Sequence, residues 1–334
     1  VINSLTWVRG KHQLKTGFEY RYGLAPARRV GTARFVFNNR VTGSGLAELL
    51  LGRVASADNA DTYDIFGRID NYSAYIQNDW KITATFTLNI GLRWEMDTPR
   101  RDMRNQLSGF AFDPINPVCN CRGVMRFAEM DGFTYASDFD TNNFGPRIGF
   151  AWRTPFGGLV VRGGYGVHYN PLYFGGGEGA MRFGYTVGAA SFSSVDAGVT
   201  PAFLLRDGLP PIPAGEPRTA GYGAVPIGAS PRFSPQFTQQ NHVAGYMHQW
   251  NFGIQRLMPG NTLVEIAYLG NGAHKLGGES ANLNMIPLVN GRGPGTADRR
   301  LLPWPQYDQV TAMQPDWGNS TYHATNLKVE KRYS

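Results

Sequence analysis

Short turns and very long connections alternate along this chain, and that order restricts its fold more than any motif does. Period-two alternation of large apolar with small or polar side chains predicts strands over 2–8, 13–22, 72–82, 86–96, 145–153, 159–169, 246–257, 262–269 and 321–333. Consecutive pairs are joined through "RGKH" (9–12), "TAT" (83–85), "TPFG" (154–157) and "PG" (259–260), which read as hairpin turns. The other connections, 23–71, 97–143, 170–242 and 270–319, are rich in Pro, Gly, Asp and Asn. Structureless connections beyond about 15 residues are uncommon in compact soluble domains. They fit a barrel with short turns on one rim and long loops on the other. Each short turn follows an odd-numbered strand and each long connection an even-numbered one, so every strand crosses from rim to rim. Further pairing inside the long segments, at 54–66 or 182–194, must come in even numbers or lie outside the wall. "GLAELLLG" (45–52) reads as a short helical excursion.

Composition agrees. The 334 residues include 42 Gly, 20 Phe, 16 Tyr and 7 Trp, and long runs of helix formers are nearly absent, a diet of strands and turns. No stretch of 18 apolar residues is present, which excludes a transmembrane helix and leaves a transmembrane barrel open, because the signal of each barrel strand is weaker. The chain does not begin with Met, and no signal peptide is visible. The net charge of +7 is spread as single Arg and Lys residues through segments such as "PRIGFAWR", with no basic stripe. That distribution sets nucleic acid aside as a partner. Cys119 and Cys121 sit in a Pro-rich loop, where a Cys-x-Cys disulfide is tense and a two-thiol metal site lacks its other ligands. They are read as loop chemistry outside any mechanism.

The segment 86–95 defines the two faces. Phe86, Leu88, Ile90, Leu92 and Trp94 point one way, and Thr87, Asn89, Gly91, Arg93 and Glu95 the other. Alternation alone leaves a soluble sandwich open, with the charged set as its solvated face. The aromatics favour a membrane. Trp7, Trp80 and Trp152 lie two or three residues before a short turn, whereas Tyr20, Trp94, Tyr165 and Tyr268 lie eight or nine after one, all on the apolar face. Eight residues of a tilted strand climb on the order of 20 Å, comparable to the ~25 Å apolar band between the aromatic girdles of outer-membrane barrels. The bulky face is therefore expected to meet outer-membrane lipid. Arg93, Glu95, Arg147, Arg162 and His168 then face a wet lumen, since an unpaired buried charge costs several kcal/mol.

Five ordered blocks carry a family resemblance. "YSAYIQNDWKITATFTLNIGLRWE", "NNFGPRIGFAW", "VVRGGYGVHYN", "WNFGIQRLMPGNTLVEIAYLGNGAHKL" and "GNSTYHATNLKVEKRYS" resemble successive barrel segments of TonB-dependent outer-membrane receptors of the Oar-like type. Asn78 replaces the Asp usual after Gln77, and Phe86 replaces a common Leu; neither changes facing. The resemblance implies a 22-stranded barrel with an N-terminal regulatory-like domain, a coupling box read by the TonB complex, and a plug. None of these added parts is visible, so residues 1–334 are expected to be an all-β, antiparallel transmembrane barrel segment of about 9–11 strands, with short periplasmic turns and long extracellular loops. The implied function is uptake of an extracellular ligand with TonB-coupled energy. A passive porin or adhesin-like barrel and a soluble β-sandwich are the alternatives.

Catalytic and cofactor signatures are weak. "GGGEGA" (175–180) fits the dinucleotide spacing but lacks the βαβ unit and the helix that would hold a phosphate. His242 and His248 lack ligand spacing and an acidic third ligand, and no nucleophile elbow, zincin helix or P-loop is present. No enzyme activity, cofactor or metal is expected. Tyr173, Phe174, Trp304 and Trp317 are candidate ligand contacts by their place in long loops.

Overall fold

A computed structural model of the chain describes residues 1–29, 33–59, 63–170, 183–185, 190–194, 196, 198–210, 217–227, 233–286 and 301–331. Nine long strands form one antiparallel path in sequence order: β1 (Ile2–Arg9), β2 (His12–Arg29), β3 (Tyr63–Lys81), β4 (Phe86–Asp97), β5 (Asn143–Arg153), β6 (Val160–Tyr169), β7 (Tyr246–Met258), β8 (Thr262–Leu276) and β9 (Gly318–Lys331). All nine expected strands are present, and the four short connections are the four predicted turns. Several strands run further than the sequence pattern. β2 continues past residue 22, β3 begins before residue 72 and β8 continues past 269, because the paired ladders extend into the long connections. There the constraint on facing relaxes, and alternation no longer marks the strand.

The register fixes the tilt. His12 pairs with Trp80, Phe86 with Trp152 and Val160 with Gln255. Each short turn therefore lies about two residues further along than the turn two strands before it. About one residue of stagger (~3.3 Å) per ~4.8 Å strand spacing inclines strands by roughly 35–40°, the range that barrel closure requires. The turns use local chemistry. At 82–85 the Thr83 hydroxyl accepts the Phe86 amide at 3.0 Å, and at 259–261 Gly260 (φ 78°) and Asn261 (φ 55°) reverse the chain in the left-handed region.

The apolar face of this sheet is uncovered among the described residues. Leu5 (65%), Ile76 (51%), Ile90 (47%), Ile148 (50%), Ile266 (54%) and Leu327 (65%) are all exposed, and Leu88 and Trp94 are half-buried. A sandwich would pack these side chains under a second layer; no such layer is present among the described residues.

The buried core lies instead in the long loops. Phe110, Met125, Phe127, Phe237, Tyr307, Val310 and Ala312 form one cluster, with Tyr222, Leu283 and Trp304 packed against it. Fully burying one such side chain stabilises by about 1.5–3 kcal/mol, enough to order connections that would otherwise lose to chain entropy. Its polar atoms are largely partnered: Asn116 Nδ2 donates to Gly123 O at 2.9 Å, Gln306 Nε2 to Arg122 O at 2.7 Å, and the Tyr307 hydroxyl to Tyr222 O at 3.2 Å. A hairpin of Ser108–Asn116 with Cys121–Phe127 supplies one side of this core, and Cys119 and Cys121 are joined by a disulfide at its turn. Ser56–Asn59 pairs with Ala33–Val36 and Ala190–Ser193 outside the wall, and α1 (Gly45–Leu50) is the helical excursion read from the sequence. No helix among the described residues is long and apolar enough to cross a membrane.

Candidate functional site

The polar face of β2–β5 builds a grid of side chains at the long-loop end of the sheet. Pairing places Glu19, Ser73, Glu95 and Asn143 in one cross-strand row, with Arg21, Asn71 and Asp97 in the row nearer the loops and Tyr75 and Arg93 in the row nearer the turns. Because side chains alternate, these odd-numbered residues all stand on one face. Arg93 is the hub. Its Nε donates to Glu95 Oε1 at 2.7 Å, its Nη2 donates to Ser73 Oγ at 2.9 Å, and Nη2 lies 3.6 Å from Glu19 Oε2. Glu19 is also bonded to Arg21. One row up, Asn71 Nδ2 donates to Asp97 Oδ1 at 2.6 Å.

Two hollows flank this network. The upper, about 340 Å³, is lined by Arg21, Asn71, Arg93, Glu95, Asp97, Asn143, Tyr169 and Asn170 among others, so donors and acceptors of both charges face it. The lower, about 300 Å³, is lined by Lys15, Tyr75, Gln77, Gly91, Arg93 and Arg147. There Lys15 pairs with Asp79 at 3.4 Å, while Arg147 Nη2 lies 3.3 Å from His168 Nδ1. The chemistry suits reversible gripping of a polar or charged molecule. Fixed guanidinium groups offer bidentate donation, and the carboxylates hold them in place.

Beside the upper hollow, three loops meet. Ala244 N donates to Asp140 Oδ2 at 2.8 Å and Val243 N to Asp316 Oδ2 at 3.4 Å, while His242 Nδ1 is buried without a hydrogen-bond partner among the described residues. Burial holds His242 below the ordinary histidine value, with Arg100 acting in the same direction and Asp316 and Asp140 opposing it. Among the described residues, no group of three or more His, Cys, Asp or Glu could hold a metal ion.

The residues singled out in the sequence are distributed unevenly. Arg93, Glu95, Arg147 and His168 come together, while Arg162 stands apart toward the turns, opposite Ala151 and Gly253. Trp7, Trp80 and Trp152 lie near the short turns, and Tyr20, Trp94, Tyr165 and Tyr268 lie further up the apolar face. The Trp94 indole donates to Thr141 O at 2.8 Å, and the Tyr20 hydroxyl to Asp70 Oδ1 at 3.3 Å. Trp304 packs in the loop core against Phe110 and Phe112, Trp317 is 52% exposed, and Tyr173 and Phe174 lie outside the described residues. Sequence reading missed Glu19, Arg21, Asn71, Ser73 and Asp97. The available signal was strand parity, which puts each of them on the face of Arg93.

The family model described as "Outer membrane beta barrel domain" matches residues 1–334. This chain belongs to that family. Membership makes the path of nine long strands barrel wall and places it in the outer membrane. This outer-membrane barrel chain is similar over 99% of its length to the copper transporter OprC (10% identity, 35% of that chain, TM-score 0.44). It is similar over 100% to the FrpB iron transporter of Neisseria meningitidis (12% identity, 33% of that chain, TM-score 0.41). Over 95% it is similar to the Serratia marcescens hemophore receptor HasR (10% identity, 40% of that chain, TM-score 0.38). The chain thus spans 33–40% of the length of these three proteins. A 90-residue match at 32% identity to the DNA replication and repair protein RecF of Haemophilus influenzae covers 25% of this chain and 24% of that one.

Proposed function

We propose that this outer-membrane barrel chain is a portion of the wall of a TonB-dependent receptor of the Oar-like type, which captures an extracellular ligand and imports it with energy from the TonB complex. The observation that carries the reading is the ion-paired polar cavity at the long-loop end of the wall, bordered by loops that hold a buried core of their own. The energy-coupled part rests on the resemblance of the five sequence blocks, which implies a plug and a coupling box acting beside this wall.

On this reading the polar face lines the lumen, the aromatic levels mark the two membrane surfaces, and Trp317 is the most accessible of the loop ligand candidates among the described residues. Arg93, Arg147 and Arg162 give the lumen a positive bias suited to anionic or zwitterionic cargo. Enzymatic chemistry has no part in it. A passive porin or adhesin-like barrel is the second reading, and the exposed apolar face disfavours a soluble sandwich.

Planar-bilayer recording on the full-length protein tests the proposal. A plugged receptor stays nearly closed and opens once a denaturant unfolds its plug, whereas steady conductance in the native state supports the passive reading.

A further inference from the structure

The apolar face changes character on β6–β9, above the level of Tyr165 and Trp250. Tyr246, His248 and His274 stand together there, on the face that carries Ile254 and Ile266. The ring of Tyr246 lies 5.4 Å from both histidine rings, and the two histidines are 5.9 Å apart. Both imidazoles are fixed through the same atom. His248 Nδ1 is 2.6 Å from the Tyr165 hydroxyl, and His274 Nδ1 is 3.1 Å from Asn319 Oδ1. Among the described residues the remaining outward-facing histidines are His323, bonded to Tyr268 at 2.7 Å, and His12, which stacks on Trp80 near the first short turn. No other stretch of the apolar face among the described residues gathers two histidines around a tyrosine.

Height decides what this cluster meets. His248 and His274 lie two and four residues further from the turn than Trp250 and Gly270, and a tilted strand climbs on the order of 2.5 Å per residue. They therefore stand roughly 5–10 Å outside the upper aromatic level, where acyl chains give way to headgroups. Neutral apolar contact gains nothing from imidazole at that depth. A phosphate and a sugar do gain: an imidazole held at Nδ1 leaves its Nε2 edge free to hydrogen-bond the phosphate and sugar hydroxyl groups of a ligand. The faces of Tyr246 and of Tyr169, 6.0 Å away, offer flat apolar surface for a sugar ring.

We infer that the His248–Tyr246–His274 cluster is a binding site on the outside of the barrel for the phosphorylated headgroup of an outer-leaflet glycolipid. The inference rests on the reading that the apolar face meets lipid, and it goes beyond ligand import: the site anchors the β6–β9 side of the wall in its outer leaflet. Hydrogen bonds at Nδ1 hold both rings in place, so binding needs little ordering of side chains.

The test uses full-length protein purified in mild detergent, incubated with lipid A or with the same lipid A stripped of its phosphates, and examined by native mass spectrometry. Wild type should retain lipid A several-fold better than the dephosphorylated form. His248→Ala with His274→Ala should remove that preference, while His12→Ala at the opposite rim should keep it, and the native electrophoretic mobility of each variant monitors folding. Equal retention of both lipids by wild type, or an unchanged preference in the double variant, overturns the site and leaves the lipid-facing reading intact. A wild-type protein that is soluble without detergent and retains no lipid overturns both.

Discussion

The indole of Trp250 lies over Gly270, the residue directly opposite it on the neighbouring strand, with Cε2 2.5 Å from where a Cβ on that glycine would stand. The arrangement recurs twice: the ring of Phe150 covers Gly163 at 2.7 Å, and the ring of Tyr75 covers Gly17 at 2.5 Å, each across one pair of the ladder. An aromatic ring laid over a cross-strand glycine protects backbone that has no side chain of its own, and it holds the ring flush with the wall. In these three pairs, glycine is what lets bulky rings fit a sheet that must stay smooth.

Gly270→Ala should therefore push the Trp250 ring off the wall at a cost of about 1–3 kcal/mol, the usual range for overpacking. Gly272→Ala should be nearly neutral, because its nearest neighbour there is His274 Nε2 at 3.8 Å. Urea midpoints of the refolded full-length barrel in detergent would read the difference, and equal midpoints would show that the ring moves aside freely.

Arg93 joins Glu19, Glu95 and Ser73 while itself only partly exposed. Arg93→Gln leaves Glu95 without this guanidinium and Glu19 with Arg21 alone, and a loss of about 1–3 kcal/mol is expected. Pairing Arg93→Gln with Glu95→Gln should recover part of it. A double-mutant cycle on unfolding free energy checks this, with additive losses as the contrary outcome.

Lumen charge makes a separate prediction about cargo. Replacing Arg93, Arg147 and Arg162 by Gln should lower anion occupancy, seen as a shift in ion selectivity of the unplugged full-length barrel toward cations. Unchanged selectivity and uptake would remove these residues from any role in cargo choice.

The loop junction should respond to acid. Because burial lowers the folded-state value of His242, the opened junction binds protons more readily than the closed one. Closure is then fully supported above the ordinary histidine value of about 6.5 and weakens as pH falls through it. Protection of the Val243 and Ala244 amides, taken as the exchange rate relative to the intrinsic rate at each pH, should fall below that pH, and His242→Gln should abolish the fall in this range. Protection that stays flat with pH in wild type would count against the account.

Nine strands, four turns and the helix at α1 were legible because a strand with one apolar face writes its period into the chain, and Gly, Pro and Thr punctuate its ends. The extension of β2, β3 and β8 into the loops was not. There Gly23, Leu24 and Ala25 keep pairing without the apolar contrast that alternation needs. The loop core was hidden for a different reason: Phe110, Phe127, Phe237 and Tyr307 come from separate connections and follow no period. Trp304, singled out for its place in a long loop, packs into that core. At the candidate site, Arg93 and Glu95 stood out within a strongly patterned strand. Glu19 and Arg21 became meaningful once the register set them beside Arg93.

The central claim is that the bulky side of the wall contacts acyl chains and the polar side contacts water. Nitroxide labels placed singly at 88 to 93 on β4 of the full-length protein in liposomes measure this directly, through accessibility to oxygen and to a water-soluble nickel chelate. The account predicts oxygen access peaking at Leu88, Ile90 and Leu92 and chelate access peaking at Asn89, Gly91 and Arg93. Low access to both reagents at Leu88, Ile90 and Leu92, the signature of side chains packed under protein, would contradict it.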